Sequence, residues 1–307
     1  MNELAVILVT WNVRDLVLDA LHSLFADLES SGLDAVVYVV DSASSDGTAT
    51  AVAQVFPQVR LIASDENLGF ARGNNTALRA LGFEGGTGSD LPRAVYLLNP
   101  DTITQLGATR TLYDMLVNDA ETGVVGARLS YGDGSFQHSG FAFPGLRQLW
   151  AEFFPTPGRF IEGRFNGRYP HALYKRGTPF AVDFTLGATM MLKHEVIQQT
   201  GIFDEAFFMY CEEIDWAWRI RKAGWQIKVV PEAHVIHLGG QSTGQVRPRS
   251  VIDLWTSRLH LFEKHYPRWK LTLARLLIAA GMRLKAQREG QSSEVAAAYR
   301  QVREMAQ

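Results

Sequence analysis

Glu212, Glu213 and Asp215 put three carboxylates within four positions, among Phe207, Phe208, Met209, Tyr210, Trp216 and Trp218. Peptide dipoles at a helix start favour ionised acids. A carboxylate held out of free solvent there can take a proton from a hydroxyl near neutral pH. Any of the three acids could be that base. Asp215 and Arg219 stand four apart and can pair on one helix face. Acids are common in first turns, so the aromatic setting is what points to chemistry.

A second group suits a hard divalent cation. Asn99-Pro100-Asp101 follows an apolar run, and Asp101 offers an oxygen ligand fit for Mg²⁺ or Mn²⁺. His237 offers a second ligand, with His234 the competing choice on the same face of an extended strand. A third group suits a nucleoside diphosphate. Asp41 could accept from a ring N–H, and Thr10 or Asn12 could hold base or ribose. Arg72 matches phosphate geometry, or else pairs with Asp65 or Glu66. Gly69 and Gly73 permit close backbone approach.

These residues need elements to position them. Short apolar runs at 4–9, 35–40, 59–62 and 94–98 read as strands, the first two as strands buried on both faces. Helices are expected over 13–28, from Thr48 to about Phe56 and from about Gly69. The β-α-β-α order predicts a mostly parallel α/β sheet with flanking helices. Ligands in such sheets sit beyond the carboxyl ends of the strands, where all of the named polar residues from Thr10 to Asp101 fall. Residues 143–180 lack periodicity and read as a long functional loop or flap. A strand is expected over 186–192, a helix from Glu212 to Ala223 ended by Gly224, and a strand over 225–230.

The chain has 307 residues, a net charge of −2 and 47% apolar residues. This excludes a disordered tail, a collagen-like fibre and a polycation that coats nucleic acid. Cys211 is the single cysteine, so no intrachain disulfide or cysteine-cluster zinc site can form. That usage and the lack of a signal-like N-terminus predict a cytoplasmic protein. No G-x-G-x-x-G, P-loop, zincin or G-x-S-x-G pattern occurs. Charge is unevenly placed: residues 258–288 hold eight basic residues and one acid. On a helix there, Trp269, Leu273, Leu276, Leu277, Ala280 and Leu284 share one side, with Arg268, Thr272, Arg275 and Arg283 opposite. That pattern fits an interfacial helix at the inner face of the plasma membrane, a dimer contact, or a helix packed on the rest of the chain.

The ordered segments Val9-Thr10-Trp11-Asn12, Val40-Asp41, Ser45-Asp46-Gly47-Thr48, Asn67-Leu68-Gly69-Phe70-Ala71-Arg72-Gly73-Asn74-Asn75 and Leu97-Leu98-Asn99-Pro100-Asp101 carry a resemblance. So do Gly187-Ala188-Thr189-Met190-Met191, Gly201-Ile202-Phe203-Asp204-Glu205, the Phe207 to Arg219 stretch and His237-Leu238-Gly239-Gly240-Gln241-Ser242. Together they resemble the inverting family 2 glycosyltransferases with a GT-A fold, most closely the bacterial rhamnosyltransferases. The resemblance implies a Rossmann-like catalytic domain over 1–245, with a nucleotide half to about 101, an acceptor half to 245 and a helical C-terminal extension over 246–307. It implies Thr10, Asn12, Asp41, Arg72, Asn75 and Asn99 around the nucleotide and Mn²⁺ or Mg²⁺ on Asp101 and His237. Glu213 becomes the expected base, with Glu212 and Asp215 as competitors. Asn99 stands where an aspartate is common, and Glu213 carries one methylene more than the usual Asp. A nucleoside diphosphate sugar donor, first dTDP-rhamnose and then a UDP-hexose, and a glycan or lipid-linked acceptor in cell-surface polysaccharide assembly follow. A sugar-nucleotide-binding module without turnover is the alternative. The acceptor is expected against the 143–180 flap and the face around Trp216.

Overall fold

The computed structural model describes residues 2–84, 91–239, 247–289 and 293–307. Strand and helix alternate through β1 (Leu4–Thr10), α1 (Arg14–Ser31), β2 (Ala35–Ser42), α2 (Thr48–Val55), β3 (Arg60–Ser64), α3 (Gly69–Ala80) and β4 (Ala94–Leu98). All pairings among these four strands are parallel. The unbroken apolar run of β1 has a physical reason. Leu4, Val6 and Leu8 meet Val17, Leu21 and Leu24 of α1, while Ile7 joins Ala71, Ala77 and Leu78 of α3 on the other face. Register aligns the strand ends: Thr10 lies opposite Asp41, and Asp41 opposite Ala63.

The second half adds β5 (Thr102–Thr104), α4 (Ala108–Asn118), β6 (Thr122–Ser130), β7 (Phe136–Gln137) and β8 (Gly140–Phe141). Then come α5 (Leu146–Phe153), α6 (Gly158–Ile161), α7 (His171–Lys175), β9 (Phe180–Val182), β10 (Phe184–Thr185), β11 (Thr189–Lys193), α8 (His194–Thr200), α9 (Glu212–Lys222) and β12 (Gln226–His237). The main sheet runs β3-β2-β1-β4-β11-β6-β12-β5, with β11 antiparallel to both neighbours.

Three expectations change here. The 143–180 segment is built from short helices rather than loop. Its aromatics supply the core that a structureless flap would lack: Tyr174 packs edge-on to Phe136 and Phe180, and its hydroxyl accepts from the N–H groups of Ser139 and Gly140. The strand expected over 225–230 continues to His237 through a register shift between Val230 and His234. Pro231, which cannot donate to a ladder, sits at that irregularity. The strand expected over 186–192 starts later, at Thr189, leaving 186–188 to the site.

The C-terminal helices are α10 (Arg247–His265), α11 (Arg268–Arg288) and α12 (Glu294–Met305). They form no separate lobe. Trp255, Phe262, Ile278, Met282 and Val302 share one core with Leu149 and Phe153 of α5 and with Phe207 and Cys211. The 245/246 boundary and Gly240-Gln241-Ser242 lie outside the described residues. Among the described residues, no helix is long and apolar enough to cross a membrane.

Candidate active site

The strand ends and the start of α9 meet in one crevice. A cavity of about 260 Å³ is lined by Thr10, Trp11 and Ser42, by Asn67, Gly69 and Phe70, and by Asn99, Pro100 and Asp101. Gly187, Met209, Tyr210, Glu212, Glu213 and His237 close it. Several lining polar atoms are buried with no partner among the described residues: Thr10 Oγ1, Ser42 Oγ, Asn99 Oδ1, Glu212 Oε2 and Glu213 Oε2, with Asp41 Oδ1 beside them. Buried polar atoms are normally paired, so this concentration marks a place shaped for a polar ligand.

Backbone strain gathers at the same rim. Asn12, Ala43, Tyr210 and Cys211 all have φ between 52° and 70°. Left-handed backbone in non-glycine residues persists where the surroundings over-determine it. Asn12 holds its turn by accepting from the Ser45 N–H at 2.7 Å, while its own N–H donates to Ser44 Oγ. Around the Tyr210–Cys211 turn, the Ser257 hydroxyl of α10 donates to the Met209 carbonyl at 2.7 Å. The Phe70 N–H donates to the Phe208 carbonyl at 3.0 Å, and a side chain on Gly69 would collide with that carbonyl. Glycine there is a packing requirement.

The three acids have different fates. Glu212 is buried, and burial followed by the nearby Glu213 charge pushes its carboxyl well above the usual range. Glu213 opens partly to the crevice, and burial raises it to about 7. Asp215 is fully buried away from the crevice. It accepts from Arg219 Nε at 3.1 Å, Lys264 Nζ at 2.8 Å and His265 Nε2 at 2.7 Å. Burial alone would raise it, but these bonds and charges win and hold it down at about 2. Asp215 is therefore corrected from candidate base to ion-pair hub joining α9 to α10.

The Asp101–His237 pair is brought together: Oδ1 and Nε2 lie 3.4 Å apart, both residues buried. Gln137 Oε1 lies 3.2 Å from His237 Nδ1. Accepting from Nδ1–H, that amide leaves the Nε2 lone pair toward Asp101. An outer hydrogen bond that fixes the tautomer is how ligating histidines are oriented. The set fits a divalent cation: carboxylate, oriented imidazole and the unpaired Asn99 Oδ1. Among the described residues no three His, Cys, Asp or Glu side chains are placed to hold a metal ion by themselves. His234 is ruled out as the alternative. It lies an odd number of residues from His237, hence on the opposite face, and its Nε2 is 2.9 Å from Ser130 Oγ.

Other expected residues are spent on structure. The Asn75 amide donates to the Phe203 carbonyl and Glu205 Oε1 and accepts from the Phe203 N–H, fully buried, so it is a bridge rather than a nucleotide contact. Arg72 pairs with Glu66 at 2.6 Å and does not line the cavity. Trp216 has no exposed surface and donates to Thr200 Oγ1, which removes it from acceptor contact. Asp41 gives Oδ2 to the Ser44 N–H at 3.0 Å and keeps Oδ1 unpaired. Residues not singled out in advance are Ser42 and Gln137. Ser42 was readable as the residue after Asp41 at a strand end, whereas Gln137 sits on a two-residue strand with no sequence signal.

Residues 5–201 match the family model described as Glycosyl transferase family 2. The N-acetylglucosaminyl-diphospho-decaprenol L-rhamnosyltransferase of Mycobacterium tuberculosis is 28% identical over 246 residues, 77% of this chain and 78% of that protein. Among solved structures, GalNAc-T7 with UDP, GalNAc and Mn²⁺ aligns with a TM-score of 0.58 and 12% identity over 98% of this chain. This chain spans about half of that one, 54%. The mannosyltransferase PcManGT of Pyrobaculum calidifontis, in complex with GDP-Man and Mn²⁺, gives 0.52 and 19% over 99% of this chain and 84% of its own. At these identities the structural likenesses speak to the GT-A fold.

Proposed function

This chain belongs to glycosyl transferase family 2, and we propose that it moves rhamnose from dTDP-rhamnose, with inversion, onto a hydroxyl of a lipid-linked glycan. The observation that carries the reading is the shared crevice. The partly open Glu213 carboxylate, raised to about 7, lines the same cavity as the Asp101–His237 pair and the unpaired Thr10, Ser42 and Asn99 atoms. The rhamnosyl donor and lipid-linked acceptor are supported by the Mycobacterium relative.

Glu213 takes the proton of the acceptor hydroxyl. The oxygen forms its bond to the anomeric carbon as the bond from that carbon to the diphosphate oxygen breaks, and the nucleoside diphosphate leaves. A value near neutrality suits a base that must be ionised at rest and still hold a proton. Glu212, buried beside it, is pushed well above the usual carboxylate range by burial and then by the Glu213 charge, which disfavours a second negative charge in the crevice. Thr10, Ser42 and Asp41 bind the nucleoside with their unpaired oxygens. Asp101 and His237 would hold Mn²⁺ or Mg²⁺, as the Mn²⁺ in the two fold relatives supports. When bound, such an ion supplies positive charge to the departing diphosphate.

The test is transfer itself. With Mn²⁺, labelled dTDP-rhamnose and a polyprenyl-diphospho-GlcNAc acceptor, the expected products are the rhamnosylated lipid with inverted anomeric configuration and dTDP. Thermal stabilisation by dTDP-rhamnose beyond other sugar nucleotides should accompany it, because a ligand that binds only the folded state raises the midpoint. Transfer from a UDP-hexose alone overturns the donor, and pyrophosphate release overturns the reaction.

A further inference from the structure

α11 has two apolar faces, and only one is used. Ala274, Ile278, Gly281 and Met282 turn inward, with the Phe153 ring of α5 against Gly281. On the far side Trp269, Leu273 and Leu276 are 64%, 44% and 62% exposed, and Ala280 is exposed with them. The spacing 269, 273, 276, 280 is one stripe along the helix. These are four of the six residues read from the sequence as the apolar side, and the fold leaves them in solvent; Leu277 and Leu284 are half-buried, Leu277 against the shared core.

The charges around the stripe select what covers it. α11 holds no acidic residue. Arg275 is neutralised by Glu263 and Lys285 by Glu152. Arg268, Arg283 and Arg288 are exposed and make no ion pair among the described residues. A second copy docked antiparallel along this stripe would bring arginine against arginine with no acid on α11 to separate them. An anionic lipid surface complements both parts at once, apolar stripe into the acyl boundary and guanidinium groups to lipid phosphates. The neighbouring α5 leaves Trp150 48% exposed beside an exposed Arg147 that makes no ion pair among the described residues.

We propose that α11 is a monotopic membrane-docking helix, seating the chain on anionic bilayers through Trp269, Leu273 and Leu276 with Arg268, Arg283 and Arg288. This deepens the lipid-linked acceptor reading, because it brings the chain to the surface where such an acceptor resides. Its vesicle binding is measured without donor or acceptor, so the two readings fail separately.

The experiment is flotation of the full chain with vesicles of phosphatidylcholine alone and with added phosphatidylglycerol, at low and high salt. The wild type should bind only the anionic vesicles, and less at high salt. Leu273→Gln/Leu276→Gln should abolish binding with an unchanged melting temperature, since both side chains already face solvent. Arg268→Gln/Arg283→Gln/Arg288→Gln should weaken it on the order of a hundredfold, at about fivefold per charge near the surface. Equal binding by wild type and both variants overturns the assignment. So does a wild-type dimer, seen by sedimentation without lipid, that the leucine variant dissolves. Loss of binding with transfer to a short soluble acceptor preserved separates docking from catalysis.

Discussion

Glu213 and Asp215 stand two residues apart in the first turn of α9, yet the fold treats them oppositely. Glu213 faces the crevice with one oxygen unpaired and its carboxyl raised to about 7. Asp215 faces α10 with two cationic partners, Arg219 and Lys264, and a hydrogen bond from His265, and sits near 2. Burial pushes both upward, and what differs is company. A carboxylate that the protein has already paired is unavailable for chemistry, whereas one left unpaired at a stability cost is kept for a ligand or a proton. The comparison separates acids that look equivalent in sequence.

The largest expected effect comes from Glu213→Gln. It should lower kcat by about 10² to 10⁴, the usual worth of a positioned base, with donor binding intact. Wild-type kcat/KM should rise with pH through about 7, and that limb should vanish in the variant. Stability should move the other way. A carboxyl raised on folding subtracts stability as pH climbs from about 4.5 to about 7, because the folded chain must then ionise a buried group. The variant should melt higher than wild type at pH 8. Normal turnover in it would end the assignment of the base.

Gln137→Ala probes the other unspent group. If the amide fixes the His237 tautomer, its loss should raise the Mn²⁺ concentration for half-maximal activity about 10- to 100-fold. Binding of Mn²⁺ followed by calorimetry without turnover checks the same point. An unchanged metal requirement removes Gln137 from the site and weakens His237 as a ligand.

Asp215→Asn should produce the mirror image of the Glu213 change. It leaves Arg219, Lys264 and His265 without their acid. Removing one member of a buried pair costs about 3–5 kcal/mol. Here Arg219 and Lys264 keep a quarter to a third of their side-chain surface, which lowers the expectation to about 2 kcal/mol, or roughly 5 °C. The stability held by a depressed carboxylate is full above about 3.8 and drains as pH falls toward about 2. The variant should therefore lose most of its deficit relative to wild type in that acid window. Turnover per folded molecule should stay within a few-fold, because Asp215 touches no crevice surface.

Much of the fold was readable because its causes are local. The runs 4–9 of β1 and 35–40 of β2 are apolar since helices cover both faces, and the polar residues at the strand ends mark where a ligand must lie. Thr10, Asn99, Asp101 and His237 were read by that route and Glu213 from the acid cluster at a helix start, and the structure brings all five to one cavity. The errors share one cause. Asn75, Asp215 and Trp216 have suitable chemistry, but partners 128, 50 and 16 residues away in sequence had already claimed them. Pairing across such separations leaves no local pattern. The same holds for Gln137, and for α11, whose exposed stripe was visible in sequence while its second, buried face was not.

Arg72 gives the smallest effect and the finest test of the comparison. Its guanidinium was expected on the diphosphate, but Glu66 holds it at 2.6 Å with 41% of the arginine side chain exposed. An exposed pair of this kind contributes about 0–1 kcal/mol, so Arg72→Gln should leave the melting temperature nearly unchanged. If a claimed charge is an unavailable one, donor KM should shift less than about threefold, within what loss of a weak, screened pair can do. A tenfold rise in donor KM with kcat preserved would show that the Glu66 pair opens when the donor arrives. Exposed pairs would then have to be counted as reserves, and only buried ones such as Asp215 with Arg219, Lys264 and His265 as spent.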